Sequence, residues 1–213
     1  HKGIFSSAFT CSNNMFIGVP VALSLFGEQA LIPTLFYFFA NTTFFWTIGN
    51  FLEARDGALV SHAPLKPLFS WESLRRVFSP PFCGFLTALF CVIINWRPPE
   101  FIMTSAKYMG GITSPLALIF IGLMLYRIGI RNIRFNRDLS WVFAGRFLVS
   151  PLICLGLSLL FPISPEFAKV YVIQAALPCI TQIAVLAKFH HADAKFATTC
   201  VASTTLGCLI ALP

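Results

Sequence analysis

The chain has 213 residues, 57% of them apolar and only 11% charged, with a mean hydropathy of +0.78. A soluble domain of this length needs more charge to cover its surface, so the composition indicates an integral membrane protein. The net charge of +7 forms no dense patch but is spread in short clusters between oily runs, which argues against nucleic acid as a partner and for a lipid bilayer.

A bilayer core takes roughly 20 apolar residues per helix. Seven runs fit: 4–26, 31–50, 82–96, 105–126, 139–161, 167–188 and 194–213. They are long and do not alternate, so they predict helices rather than barrel strands. The expected fold class is therefore an all-α polytopic membrane protein. Cys11, Cys83, Cys91, Cys154, Cys179, Cys200 and Cys208 are scattered without a C-x-x-C pair, and read as small hydrophobes. Nothing in the sequence calls for a metal or a cofactor.

Orientation follows from Lys and Arg. The links at 51–81, 127–138 and 188–195, together with Lys2, carry Arg55, Lys66, Arg75, Arg76, Arg127, Arg131, Arg134, Arg137, Lys188 and Lys195. The opposite links hold Arg97, Lys107 and Lys169. The alternation puts the first group in the cytoplasm, so the first helix runs outward. Arg146, two turns into run 139–161, is expected to snorkel to the cytoplasmic interface. In the longest link, "SWESLRRVF" places Trp71, Leu74 and Phe78 on one face, which suggests a short interfacial helix.

Two runs carry a proline in mid-membrane among amides. In "CSNNMFIGVP" Pro20 follows Asn13, Asn14 and Gly18; in "IQAALPCITQ" Pro178 lies between Gln174 and Gln182. Pro20 is followed in the next run by "NTT" (Asn41, Thr42, Thr43), and Pro178 by "STT" (Ser203, Thr204, Thr205). The broken helix followed by a polar triplet reads as an internal repeat. The two copies cross the membrane in opposite directions, the build of many secondary transporters. A five-helix repeat assigns 1–50 to the last two helices of a first unit, 51–81 to a cytoplasmic linker and 82–213 to a complete second unit. Three helices are then expected before His1, giving a ten-helix parent.

Proline lacks an N–H and frees a carbonyl four residues back, here those of Phe16 and Gln174. Such breaks persist in a membrane only beside protein or a watery cavity. Half-helices starting at the prolines would present N–H groups around Val21–Leu23 and Cys179–Thr181, and two positive ends meeting form an anion site. Asn13, Asn14, Gln174 and Gln182 can orient a ligand, and Gly18 permits close approach of backbones.

At these residues the chain resembles the auxin efflux carrier family, the bacterial organic-acid permeases together with the plant auxin exporters. The segments that carry the resemblance are "NNMFIGVPVALSLFGEQAL" (13–31), "GGITSPLALIFIGLML" (110–125), "GRFLVSPL" (145–152), "VIQAALPCITQIAVLAKFHHAD" (172–193) and the final "LIALP". The resemblance implies two inverted five-helix repeats whose broken helices cross at the transport site. It implies that Asn13 contacts substrate, that Pro20 and Pro178 are the crossover prolines, and that the cargo is a small organic anion such as malate, malonate or an auxin-like acid. It further implies an elevator-like motion against a scaffold whose helices form a homodimer contact.

Other polar features read as structural. Gly110, Gly111, Thr113, Ser114 and Pro115 suggest tight helix packing. His190, His191 and Asp193 in "KFHHAD" read as a solvated turn rather than a metal site. The eight acidic residues all fall at helix ends or in loops, so no buried carboxylate for proton coupling is expected. Together the residues point to a secondary transporter of organic anions in the cell membrane, with Asn13, Asn14, Gly18, Pro20, Asn41, Gln174, Pro178 and Gln182 as candidate substrate-binding residues. An ion channel of the same architecture, a membrane-embedded enzyme and a non-transporting remnant are the alternatives; clustered nucleophiles or acids that would favour an enzyme are not seen in the sequence.

Overall fold

A computed structural model describes residues 1–61, 80–128 and 136–211. Those residues are helical, with one isolated antiparallel bridge and no longer strand among them. Helix α1 spans Lys2–Thr10 and stops where Cys11 turns extended. Helix α2 (Asn14–Phe26) starts with a π-helical turn, Asn14–Gly18, just ahead of Pro20. The wider turn gives room to a ring that would otherwise meet the carbonyl four residues back. Gly27, at φ 74°, then ends α2 in a conformation that favours glycine.

Helix α3 (Glu28–Ser61) is 34 residues long and carries a second π turn at Phe45–Gly49. Helices α4 (Pro80–Ile93) and α5 (Glu100–Ile128) follow. Helix α6 (Arg137–Leu160) opens on Asn136, whose Oδ1 accepts the Leu139 N–H at 2.8 Å. Its own π turn, Gly145–Val149, again precedes a proline, Pro151. Helices α7 (Pro165–Ala175) and α8 (Gln182–Phe189) replace the single run expected over 167–188, and α9 covers Ala194–Ala211. Helices α3 and α6 are each long and apolar enough to cross a bilayer.

The core forms around α1. Ile4 and Ala8 pack with Phe45 of α3, Leu139 and Val142 of α6, Ile183 and Leu186 of α8, and Ala197 and Val201 of α9, all buried. In lipid, close packing rather than exclusion from water holds helices together, so small residues matter. A Cβ on Gly3 would lie 3.0 Å from Glu53 N, which means α1 and α3 touch backbone to backbone. By contrast α4 and α5 expose large apolar side chains, among them Phe90, Val92, Phe101, Tyr108, Met109 and Leu116. Such a surface requires lipid or protein cover.

Three expectations are revised here. Helix α3 continues past the apolar run 31–50 to Ser61, and this extension buries Glu53 and Asp56 against α1. Acidic residues are therefore not confined to loops and helix ends. Gly110 and Gly111 are exposed, and a Cβ on either would meet nothing within 4 Å, so they make no close helix contact among the described residues. In the 190–193 turn, His190 Nε2 hydrogen-bonds Asn50 Oδ1 at 2.9 Å and Asp193 accepts the Phe196 N–H at 2.9 Å, while His191 is exposed. Two of these side chains thus anchor the turn. The interfacial helix expected at 71–78 lies outside the described residues.

Candidate functional site

Two helices break and cross at one point. Between α1 and α2 residues 11–13 leave the helix, Cys11 in an extended conformation, and between α7 and α8 residues 176–181 do so too. The extended stretches pair: Asn13 N donates to Pro178 O at 2.9 Å and Ile180 N donates to Cys11 O at 3.0 Å, around the facing residues Ser12 and Cys179. Backbone groups freed by the breaks thus satisfy one another, as a low-dielectric site demands.

Each break is also held by the helix that follows it. Asn41 of α3 grips the Ser12 main chain at both ends, accepting its N–H at 3.0 Å and donating to its carbonyl at 2.9 Å. Thr204 Oγ1 of α9 accepts the Cys179 N–H at 3.2 Å and donates to Cys200 O at 2.7 Å. Both residues belong to the polar triplets seen in the sequence.

Gln174 and Asn14 lock the two broken helices together. Asn14 Nδ2 donates to Gln174 Oε1 at 2.8 Å, and Gln174 Nε2 donates to Gly18 O at 3.0 Å and to Thr34 Oγ1 at 3.3 Å. Asn14 Oδ1 accepts from Ser12 Oγ at 3.1 Å. These amides are committed to the protein. Gly18 has to be glycine here, because a Cβ would run into the Gln174 amide and come within 2.7 Å of Leu177 Cδ1.

Arg146 corrects the sequence-based expectation most. Instead of snorkelling to the interface it is fully buried at the crossing. Its Nε donates to Leu177 O at 3.0 Å and its two terminal nitrogens to Ala175 O at 2.7 Å and to Thr10 O and Phe9 O at 2.8 and 3.3 Å. The π turn Gly145–Val149 carries it, packed where Gly145 meets the Phe9 ring. All four acceptors lie at the C-terminal ends of α1 and α7. Each helix C-terminus carries about −0.5 elementary charge, so one guanidinium roughly balances two such ends. A wide fork of donors suits this task better than an ammonium. The sequence signal was an arginine well inside an oily run.

The opposite side of the crossing is open. Ser12, Asn13, Asn14, Met15, Phe16, Phe38, Asn41, Thr42, Trp46, Ile180 and Gln182 line a cavity of roughly 160 Å³. No charged side chain lies in this wall, and the first residues of α2 and of α8 do. With the negative helix ends covered by Arg146, the positive ends dominate the field in the cavity. Asn13 is buried, and its Nδ2 has no hydrogen-bond partner among the described residues. An unpartnered amide donor on a residue of the cavity wall is a candidate partner for a ligand acceptor. Gln182 is half-buried in the same wall, its Oε1 taking the Thr181 hydroxyl at 3.2 Å.

Of the expected site residues, Asn13, Asn14, Asn41 and Gln182 thus line the cavity, and Gln174 and Gly18 stand behind Asn14. Pro178 joins the crossing through its carbonyl. Pro20 lies outside the wall, inside α2, and the break comes earlier, at Cys11–Asn13. The N–H groups of Val21–Leu23 are therefore within the helix, while those of Cys179 and Ile180 are taken by Thr204 and Cys11. Ser12, Thr34, Arg146 and Thr204 were not among the expected site residues.

Comparison with known proteins decides the family. The family profile described as "Membrane transport protein" matches residues 1–213. The chain belongs to this membrane transport protein family, of the auxin efflux carrier type. An uncharacterized transporter of Methanothermobacter thermautotrophicus is 31% identical over 207 residues, covering 94% of this chain and 63% of the relative. An uncharacterized transporter of Methanocaldococcus jannaschii is 25% identical over 203 residues, with the same coverage. The chain therefore spans 63% of the length of the curated relatives it matches. The family description and the relatives' names point to membrane transport rather than to enzyme chemistry.

Proposed function

We propose that this transporter is a secondary carrier of small organic anions, carboxylates such as malate, malonate or an auxin-like acid, moved by alternating access at the helix crossing. The observation that carries the reading is Asn13: a buried amide donor without a partner among the described residues, in the wall of a cavity that two helix N-termini share. A carboxylate there would accept from Asn13 and lie on the positive ends of α2 and α8, with Gln182 within the same wall. At roughly 160 Å³ the cavity is smaller than the approximately 300–1,000 Å³ of drug-sized ligand pockets, which favours a small acid.

The inverted repeat and the ten-helix parent belong to the same proposal. Supporting them, Ser12 and Cys179 are each held by the next helix, and the two residues face each other. A moving body would comprise α1–α3 and α6–α9, of which α1, α3, α6, α8 and α9 share the core around α1 while α2 and α7 pack together through Ala22 and Val170; α4 and α5 would belong to the scaffold and its homodimer contact. The proposed setting is the cell membrane, crossed several times, with 51–81, 127–138 and 188–195 in the cytoplasm. Counterflow tests the carrier reading: vesicles preloaded with unlabelled malonate should accumulate labelled malonate transiently. A channel gives no such overshoot, and its absence together with rapid ion flux would replace the carrier by a channel.

A further inference from the structure

Glu53 is a buried ionisable group that the crossing does not use. It is fully buried in the seam where α3 packs on α1, and neither carboxyl oxygen makes a well-formed hydrogen bond among the described residues. Gly3 and Gly49 let the seam close: a Cβ on Gly3 would lie 3.0 Å from Glu53 N, and one on Gly49 would lie 3.3 Å from Ser7 Oγ. Ser7, buried on α1, brings its hydroxyl to Glu53 and is the group there that favours the ionised form.

Among the described residues, every neighbouring charge leaves Glu53 without a counterion. On α3, Asp56 is committed to the Ile4 N–H at 3.0 Å, and Arg55 points outward. On α1, Cys11 is buried at the far end and Lys2 is exposed at the near end. From the turn after α8, His190 is bonded to Asn50. The His1 ring pairs with Asp138 at 3.0 Å and Asp193 at 3.5 Å, and its main-chain nitrogen lies 4.0 Å from Asp56. An ionised carboxylate in such a seam would be unpaired and dry, so the closed seam selects the protonated acid.

We propose that Glu53 is a proton-binding site of this transporter, protonated while α1 is closed on α3 and releasing its proton to water when that seam opens. The coupling to flux rests on the carrier reading above, because the same two helices hold the crossing: α1 ends at the Thr10 carbonyl that Arg146 binds, and α3 carries Asn41. Opening the seam to hydrate Glu53 shifts α1, and with it the wall that contains Asn13. Burial pushes the Glu53 carboxyl up to about 8, against the Ser7 hydroxyl and helped by the Asp56 charge, and Glu53 lies just past the apolar run 31–50 at its cytoplasmic end.

Infrared titration of the protein in lipid vesicles tests the site without any substrate. The expected spectrum has a protonated-carboxyl carbonyl band at neutral pH that fades as pH rises through about 8 and is missing in Glu53→Gln. Ser7→Ala, which removes the group favouring the ionised form, should move the fading to higher pH; it also decides the matter if Glu53→Gln does not fold. A band unchanged in Glu53→Gln, no band in the wild type, or no shift in Ser7→Ala overturns the proposal. In the same vesicles, a pH gradient should change labelled malonate uptake several-fold in the wild type and leave Glu53→Gln unaffected; a variant that keeps the wild-type gradient response overturns the coupling. If the wild type carries no malonate while the band behaves as described, the carboxylate reading fails and the proton site stands.

Discussion

Ser12 and Cys179 face each other in an antiparallel bridge, each on the extended stretch that interrupts a different helix. Their neighbours exchange main-chain hydrogen bonds of 2.9 and 3.0 Å, so each break supplies the partner the other lacks. The pairing explains how irregular backbone persists in a membrane protein's interior. It also fixes the polarity of the crossing, with helix C-termini on the Arg146 side and helix N-termini on the cavity side.

Arg146 should therefore be the most sensitive position for assembly. Arg146→Met leaves the Ala175 and Leu177 carbonyls buried and unpaired, a loss on the order of 3 kcal/mol after allowing for the charge no longer buried. Arg146→Lys keeps the charge with fewer well-aimed donors and should fall between Met and wild type. Thermal unfolding in detergent measures the order; a Met variant as stable as wild type would remove Arg146 from this role.

Gly18→Ala should destabilise by about 1–3 kcal/mol, because the new methyl displaces the Gln174 amide and crowds Leu177. The Asn14–Gln174 hydrogen bond is then lost as well. Combining Gly18→Ala with Gln174→Ala should recover part of the loss, since the obstruction is gone. Unfolding midpoints of the single and double variants check this.

Thr204→Val keeps the shape of the side chain and removes the acceptor for the Cys179 N–H. The expected loss is about 1–3 kcal/mol, the usual effect of leaving a buried donor unpaired. Hydrogen exchange should rise at Cys179 and leave α4 and α5 unchanged. Uniform exchange across the chain would contradict a local latch.

Glu53 gives stability a pH dependence of defined sign. Its carboxyl is pushed up to about 8 by burial, well above the ordinary glutamate value of about 4.3. The folded state thus holds a proton that the unfolded chain releases. The stability is fully present below the unfolded value and is lost as pH rises through about 8. The unfolding midpoint should fall over that window in the wild type and stay nearly flat in Glu53→Gln.

Much of the architecture was legible in the sequence, because oily length and proline position are local properties. The starts and stops of α6 and α9 and the start of α7 lie close to the runs read from composition, and the two polar triplets marked the residues that hold the breaks. The break before α2 was displaced because the π turn at Asn14–Gly18 absorbs Pro20, and the asparagine-rich stretch ahead of it bends instead. Arg146 could not be placed from its own run, since the carbonyls it binds at Phe9 and Thr10 are 137 and 136 residues away. Glu53 was hidden for a different reason: hydropathy ends at residue 50 while the helix, packed on Gly3, does not.

The decisive measurement is labelled malonate uptake by purified protein in vesicles, comparing wild type with Asn13→Ala at matched unfolding midpoints. Asn13 Nδ2 bonds to no group among the described residues, so its removal should leave the fold intact and weaken uptake roughly tenfold or more, the effect of losing about 1.4 kcal/mol of binding. Wild-type uptake kinetics in the variant would contradict a transport site at the helix crossing.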